Sequence, residues 1–307
     1  MTYVPQLTEI VTPELRNRFP DVKVLSGEEV QTQRGITAER LCKLPLFNTV
    51  ALKMLSLSAE SQSALQETET LFKADPALAA ELLLLANSAE FGLRARVGSI
   101  RHALTILGLE RVRDLVMTIA MHTYVRQGPR SANMHPVWAH SFATAVIAGE
   151  IAAVERQADP LFYTAGLMHD VGRLGLLLTS PQKYSRLFSA PFLDVHEANS
   201  VERLVLGFNH CEAGGLLSQT WGLPDFVQTC ARHHHGTDNQ EHHHILSSVR
   251  TACQMAESLG FHEFLVAESN DPIKHGDAIP ERYRNHPLLA PDRLMDLVSK
   301  KMATVWK

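Results

Sequence analysis

The chain has no Cys-x-x-Cys pair. Its four cysteines, Cys42, Cys211, Cys230 and Cys253, stand singly among 307 residues. That spacing removes the usual thiol signature of a zinc or redox site and reads as reduced thiols in a cytoplasmic protein. An excess of one charge is also missing. The formal net charge is −4, so nothing global draws the molecule toward nucleic acid or an anionic lipid surface. Neither is expected as a partner. No apolar run is expected to span a membrane; the longest, around Leu82-Leu83-Leu84-Leu85, is short. The opening Met1-Thr-Tyr-Val-Pro5 lacks a charged stretch followed by an apolar one, so no signal peptide is expected. Internal repeats are absent, and so is any convincing alternation of strand residues.

What is present is helical periodicity. Val50, Met54 and Leu57 keep one face. Asp75-Pro76 reads as a helix start, with Asp as N-cap and Pro at the first helical position. Leu78, Leu82 and Leu85 line the helix behind it. Ser99 caps a short helix with Ile100, Ala103, Leu104 and Leu107 inward, ended by Gly108. Another begins at Glu110 with Val112, Leu115, Val116 and Ile119 in register. Residues 127–133 are rich in turn formers and read as a linker. A long helix then runs from Pro136 through Ala153. Asp159-Pro160 repeats the Asp-Pro start. Asn209-His-Cys-Glu212 has the spacing of a capping box, which puts His210 in a first helical turn. A later helix spans about 245–259 and ends at Gly260. The tail carries Asp271-Pro272, Ile279-Pro280 and Ala290-Pro291, and is expected to hold loops and short helices. The fold class is therefore all-α, in two packed helical lobes. The boundaries drawn are an N-terminal extension 1–36, a domain 37–260 and a tail 261–307. Within the domain, a first lobe covers 37–127 and a second 134–260.

Sixteen histidines are many, and their clustering matters more than their count. His169-Asp170 closes an apolar run, with His140, His210 and the triplet His233-His234-His235 on either side. Imidazole and carboxylate both ligate first-row metals once deprotonated.

These segments together resemble the HDOD family, a divergent branch of the HD phosphohydrolases found in bacterial signalling. The first lobe carries Leu44-Pro-Leu-Phe-Asn-Thr-Val50, Asp75-Pro-Ala-Leu-Ala79, Leu85-Ala-Asn-Ser-Ala-Glu-Phe-Gly92 and Ile100-Arg-His-Ala-Leu-Thr-Ile-Leu-Gly108. The second carries Trp138-Ala-His-Ser141, Gly166-Leu-Met-His-Asp-Val-Gly172, Asn209-His-Cys-Glu-Ala-Gly214 and Trp221-Gly-Leu-Pro224. The resemblance implies that the second lobe is HD-like. It also implies metal ligation by His140, His169 and Asp170, with His210, His234 and His235 matching the further histidines of related two-metal phosphodiesterases. His233-His234 is the competing register. The family's late Asp falls on Cys253. Arg173 stands where active enzymes carry Lys, and Gly236-Thr-Asp replaces Gly-Tyr-Pro.

Two functional readings stand at this point. In the leading one the chain is a non-catalytic signalling module that contacts a signalling protein or a small phosphorylated ligand, with a homo-oligomer allowed. In the alternative it is a phosphohydrolase using Fe, Mn or Zn on a cyclic dinucleotide or other phosphoester. Each residue also has a plainer reading. His169-Asp170 can hold two helices together without metal, His140 can be a satisfied core histidine, and His210 can be exposed. The triplets 233–235 and 242–244 can be solvated. Cys253 can be a thiolate ligand that favours zinc or a small buried hydrophobe, and the second is preferred. Asn87 is expected to stitch a helix end to its neighbour. Arg94, Arg96, Arg101, Arg111 and Arg113 are expected to form a solvated basic face.

Overall fold

The structure is a computed structural model. It describes residues 23–57, 63–88, 92, 96–128, 134–157, 161–188, 192, 194–236, 244–262, 264 and 279–305. No β-strand occurs among them. The helices are α1 (Gly27–Cys42), α2 (Thr49–Leu55), α3 (Ala64–Lys73), α4 (Pro76–Ala86) and α5 (Ile100–Arg126). They continue with α6 (His135–Val154), α7 (Leu161–Met168), α8 (Val171–Thr179), α9 (Pro181–Phe188) and α10 (Val195–Leu206). Last come α11 (His210–Thr220), α12 (Asp225–His233), α13 (His244–Ser258), α14 (Glu281–Arg284) and α15 (Pro291–Val305).

Local chemistry fixes most of these ends. Asp75 accepts from the Leu78 amide at 3.0 Å and Ser99 from that of His102 at 3.1 Å. Each satisfies a first-turn N–H that has no helical partner. Asn209 and Glu212 form the expected capping box. At Gly108 the backbone turns to φ 80°, ψ 162° inside α5. A side chain there would strain that left-handed φ, so two helical segments meet at this glycine as anticipated. Asn87 bonds the Leu83 carbonyl and both the amide and the carbonyl of Val97, the expected stitch. The Asp159-Pro160 and Asp271-Pro272 starts, most of the 127–133 linker, Arg94, His242 and His243 lie outside the described residues.

The first lobe packs α2, α3 and α4 onto α5. The second is centred on α6, which carries α7 on one side and α13 on another, with α11 packed on α8 and α12. Helix α6 is buried almost all round. It is long and apolar enough to cross a membrane by length and composition, although it is mostly buried within the protein. The expectation that no segment reaches that length is corrected here; residues such as His140, Ser141 and Thr144 inside it hid the run.

Three further expectations change. The boundary drawn at residue 36 falls inside α1, which packs on α8, α10 and α11 of the second lobe. Thr37 seals that contact with a 2.7 Å bond to the Leu206 carbonyl. The tail holds α15, a 15-residue helix, which packs on α6 and α5. Arg113 is no part of a solvated face: it is buried and donates to the Met54 carbonyl at 3.0 Å.

Candidate metal centre

Helices α6, α8, α10, α11, α12 and α13 aim polar side chains into one buried core. His140 comes from the second turn of α6. His169 and Asp170 form the short break between α7 and α8, with Asp170 as the N-cap of α8. His210 is the first residue of α11, held there by the Asn209 cap. His234 and His235 follow α12, and Cys253 lies on α13. His140, His169, Asp170, His210, His234 and Cys253 are all buried. The alternative of an exposed His210 is thereby corrected, and within the 233–235 triplet His234 is buried while His233 and His235 are half-buried: the start of α11 and the end of α12 both face the core.

The donors fall into overlapping groups. His140, His169 and Cys253 form one, and His210, His234 and His235 another; His169, Asp170 and His234 lie between them. Within each group the donor atoms lie within 4.8 Å of one another. The register that uses His234 and His235 is therefore the one brought together. The His233 carbonyl accepts instead from Arg250, at 2.8 Å.

In the first group, backbone carbonyls fix the tautomers. His140 Nδ1 lies 2.7 Å from the Phe261 oxygen and His169 Nδ1 lies 2.6 Å from that of Gly166. A carbonyl oxygen only accepts, so both Nδ1 atoms carry hydrogen. Burial, the largest influence on it, holds His169 well below the usual histidine range, so its ring is neutral. Its Nε2 therefore presents a lone pair to His140 Nε2, 3.2 Å away. Cys253 Sγ is 3.5 Å from the same His140 nitrogen. Cys253 thus lies beside His140 at the histidine cluster rather than elsewhere in the core. Asp170 Oδ1 is buried without a hydrogen-bond partner. Its neighbour His234 Nε2, at 3.5 Å, is beyond good hydrogen-bond range.

The second group is built differently. Arg173, fully buried, donates to Asp170 Oδ2 at 3.0 Å and to Glu202 Oε1 at 2.9 Å. Its other terminal nitrogen lies 3.4 Å from His210 Nε2. Tyr184 donates to the same Glu202 oxygen at 2.6 Å. Glu202 Oε2 takes the His210 amide and Nδ1, both at 2.7 Å. Burial opposes charge on both carboxylates, but the cations win. Arg173, His210 and His234 hold Asp170 well below its ordinary value, and His210 with Arg173 brings Glu202 down to about 2. Burial also opposes charge on the rings of His210 and His234. Cys211 with Glu202 and Asp170 nonetheless raises His210 to about 10, and Cys211 with Asp170 raises His234 to about 9. Burial drives His235 the other way, well below the usual range.

Sequence reasoning missed Glu202, Tyr184 and Cys211. Only Glu202 left a signal: it occupies an inward position of α10, beside Ala198, Val201 and Val205, where a carboxylate needs a buried partner.

The model of the HDOD domain matches residues 44–237. The chain belongs to the HDOD family. It is similar to an HDOD domain protein of unknown function from Geobacter sulfurreducens, at 25% identity with a TM-score of 0.68. That match covers 90% of this chain and 95% of the other. A putative signal transduction protein from Marinobacter aquaeolei VT8 shares the fold at 18% identity and TM-score 0.62, over 100% of this chain and 68% of that one. A putative phosphohydrolase from Shewanella amazonensis SB2B shares it at 22% and 0.60, over 88% and 95%. An uncharacterized protein from Treponema pallidum is 24% identical over 73% of this chain, which spans 45% of that relative's length. The other HDOD proteins are thus helical relatives of this all-α chain, and its buried histidine-rich groups could hold a metal.

The donor set fits one. Two nitrogens about 2.05 Å from a tetrahedral zinc would stand about 3.3 Å apart, and a nitrogen and a sulfur about 3.6 Å apart. The His140–His169 and His140–Cys253 separations, 3.2 and 3.5 Å, come close to both. The carbonyl-fixed tautomers are the outer support that metal-binding histidines have.

Proposed function

We propose that this HDOD protein is a non-catalytic signalling module with one buried cation site. His140, His169 and Cys253, whose donor atoms form one group, would hold the cation. A thiolate beside two imidazole nitrogens favours zinc over manganese or iron. A bound cation there would neutralise the thiolate and relieve the facing lone pairs, joining α6, α8 and α13. Regulation would run through contacts with a signalling protein or a small phosphorylated ligand.

The observation that carries this reading is the position of Arg173. Two-metal phosphoester hydrolysis needs a second cation beside the first and an open face for the substrate. Here a guanidinium already lies on Asp170 Oδ2 and Glu202 and against His210 Nε2. Both the guanidinium and the carboxylates are shut from solvent. A second dication would have to enter beside a charge that cannot be titrated away.

A metal-dependent phosphohydrolase is the second reading, favoured by the convergence of His210, His234 and His235. Metal analysis of purified protein, joined to assays with bis(p-nitrophenyl) phosphate and a cyclic dinucleotide, separates the two. The module reading expects about one zinc per chain and no turnover with Mn, Fe or Zn supplied. Metal-dependent turnover that vanishes in His169→Ala and Asp170→Ala would replace it with the enzyme.

A further inference from the structure

A cavity of about 410 Å³ lies away from the histidine core, among α5 of the first lobe, α6 and α7 of the second, and α15. That is within the range of about 300–1,000 Å³ typical of small-molecule sites. Its apolar walls include Leu107, Leu115 and Phe142, and its polar members are Asp114, Thr118, Tyr163, Arg111, Lys301 and Thr304, whose hydroxyl donates to the Lys300 carbonyl.

The polar groups are unbalanced. Asp114 Oδ1 is shut from solvent and has no hydrogen-bond partner. Thr118 Oγ1 donates to the Asp114 backbone carbonyl at 2.7 Å. Its hydrogen is therefore spent, and in the 2.7 Å contact with Tyr163 the phenol must donate. The Tyr163 oxygen keeps only acceptor capacity. With Asp114 ionised, the inner end of the cavity thus offers acceptors and no spare donor. A buried carboxyl without a partner costs stability, and a ligand with N–H groups would recover that cost. Arg111, which is exposed, and Lys301, which is partly exposed, supply positive charge on the same lining.

We propose that this cavity is a ligand site for a small planar heterocycle with adjacent N–H donors and an anionic substituent. Asp114 and Tyr163 accept the donors, the walls with Phe142 take the flat ring, and Arg111 and Lys301 receive the negative charge. Its occupant would touch both lobes and α15 together. The proposal does not rest on the metal reading, because none of its residues belongs to that centre.

Guanosine 5′-monophosphate is the test probe, because its base edge sets a ring N–H beside an amino group. Calorimetric titration of the full chain is expected to show saturable binding. Inosine 5′-monophosphate, which lacks the amino group, should bind about tenfold more weakly, the worth of one hydrogen bond. Inorganic phosphate alone should not bind. Asp114→Asn should lose at least about tenfold in affinity without a lower Tm, and Leu115→Trp should fill the cavity and abolish binding. Arg111→Ala with Lys301→Ala should reduce the nucleotide to the affinity of guanosine. Failure of guanosine and both nucleotides to bind would overturn the site. So would equal affinity in Asp114→Asn, or binding matched by phosphate alone.

Discussion

His140 and His169 face each other through their Nε2 atoms at 3.2 Å, while the Nδ1 atom of each is bound to a backbone carbonyl. Neither ring can turn its hydrogen toward the other without losing a bond to the main chain. A cation held between the two Nε2 atoms would complete the pair with both main-chain bonds in place.

Cys253→Asp tests what completes it. With Sγ at 3.5 Å from His140 Nε2, an Asp at 253 places a hard oxygen donor at the centre. Metal preference is expected to move from zinc toward manganese and iron, and metal should raise the mutant's Tm. Equal destabilisation with and without metal, and no gain in bound metal, would remove Cys253 from the ligand set.

Arg173→Met should be among the most damaging single changes in the protein. It leaves Asp170 and Glu202 buried without their common cation, a loss of about 3–5 kcal/mol. Chemical denaturation at neutral pH measures it. A cost below 1 kcal/mol, the range of a surface pair, would show that the guanidinium is not needed to balance them.

Gly172→Ala tests the approach of α8 to α11. A Cβ at Gly172 would collide with the His210 carbonyl oxygen and the backbone of Gly214. Backbone cannot step aside as a side chain can, so a loss of about 1–3 kcal/mol or more is expected, with weaker metal retention. Wild-type stability and metal content in the variant would mean that the two helices are not in this register.

Asp114 gives the pH prediction. Burial is the main cause that lifts its carboxyl to about 8. Arg111 and Arg113 on its own helix and Lys301 on α15 oppose the rise, while Glu110 adds to it; Tyr163 of α7 lines the same cavity. The folded state binds this proton more tightly than the unfolded chain, whose value is near 3.8. Its contribution to stability is therefore complete below about 4, and is lost as pH rises toward about 8. Tm measured against pH should show Asp114→Asn gaining on the wild type across that window and levelling above it. Parallel curves would place Asp114 in water.

The helix ends were readable because their signals are local. Asp75, Ser99, Asn209 and Gly108 each act within a turn, and the structure uses all four as expected. His140, His169, Asp170 and His210 were readable as a set only through their spacing against a family. Arg173 was visible as a departure from that pattern, but its role was not, because Glu202 and Tyr184 reach it from helices with no motif of their own. Burial was the hardest property to read. Arg113 and Asp114 are adjacent charged residues on α5, and only tertiary packing decides that one binds carbonyls while the other faces a cavity.

The guanidinium of Arg173 also bears on the order of assembly. In a domain built around a metal, the ligands repel or go unsatisfied until the ion arrives, and folding waits for it. Here the chain brings a permanent cation to Asp170 and Glu202 from within α8. On the one-cation reading, the second lobe would therefore close before any ion arrives, and loss of the ion need not open it. Metal content then becomes a quantity that can vary in a folded molecule.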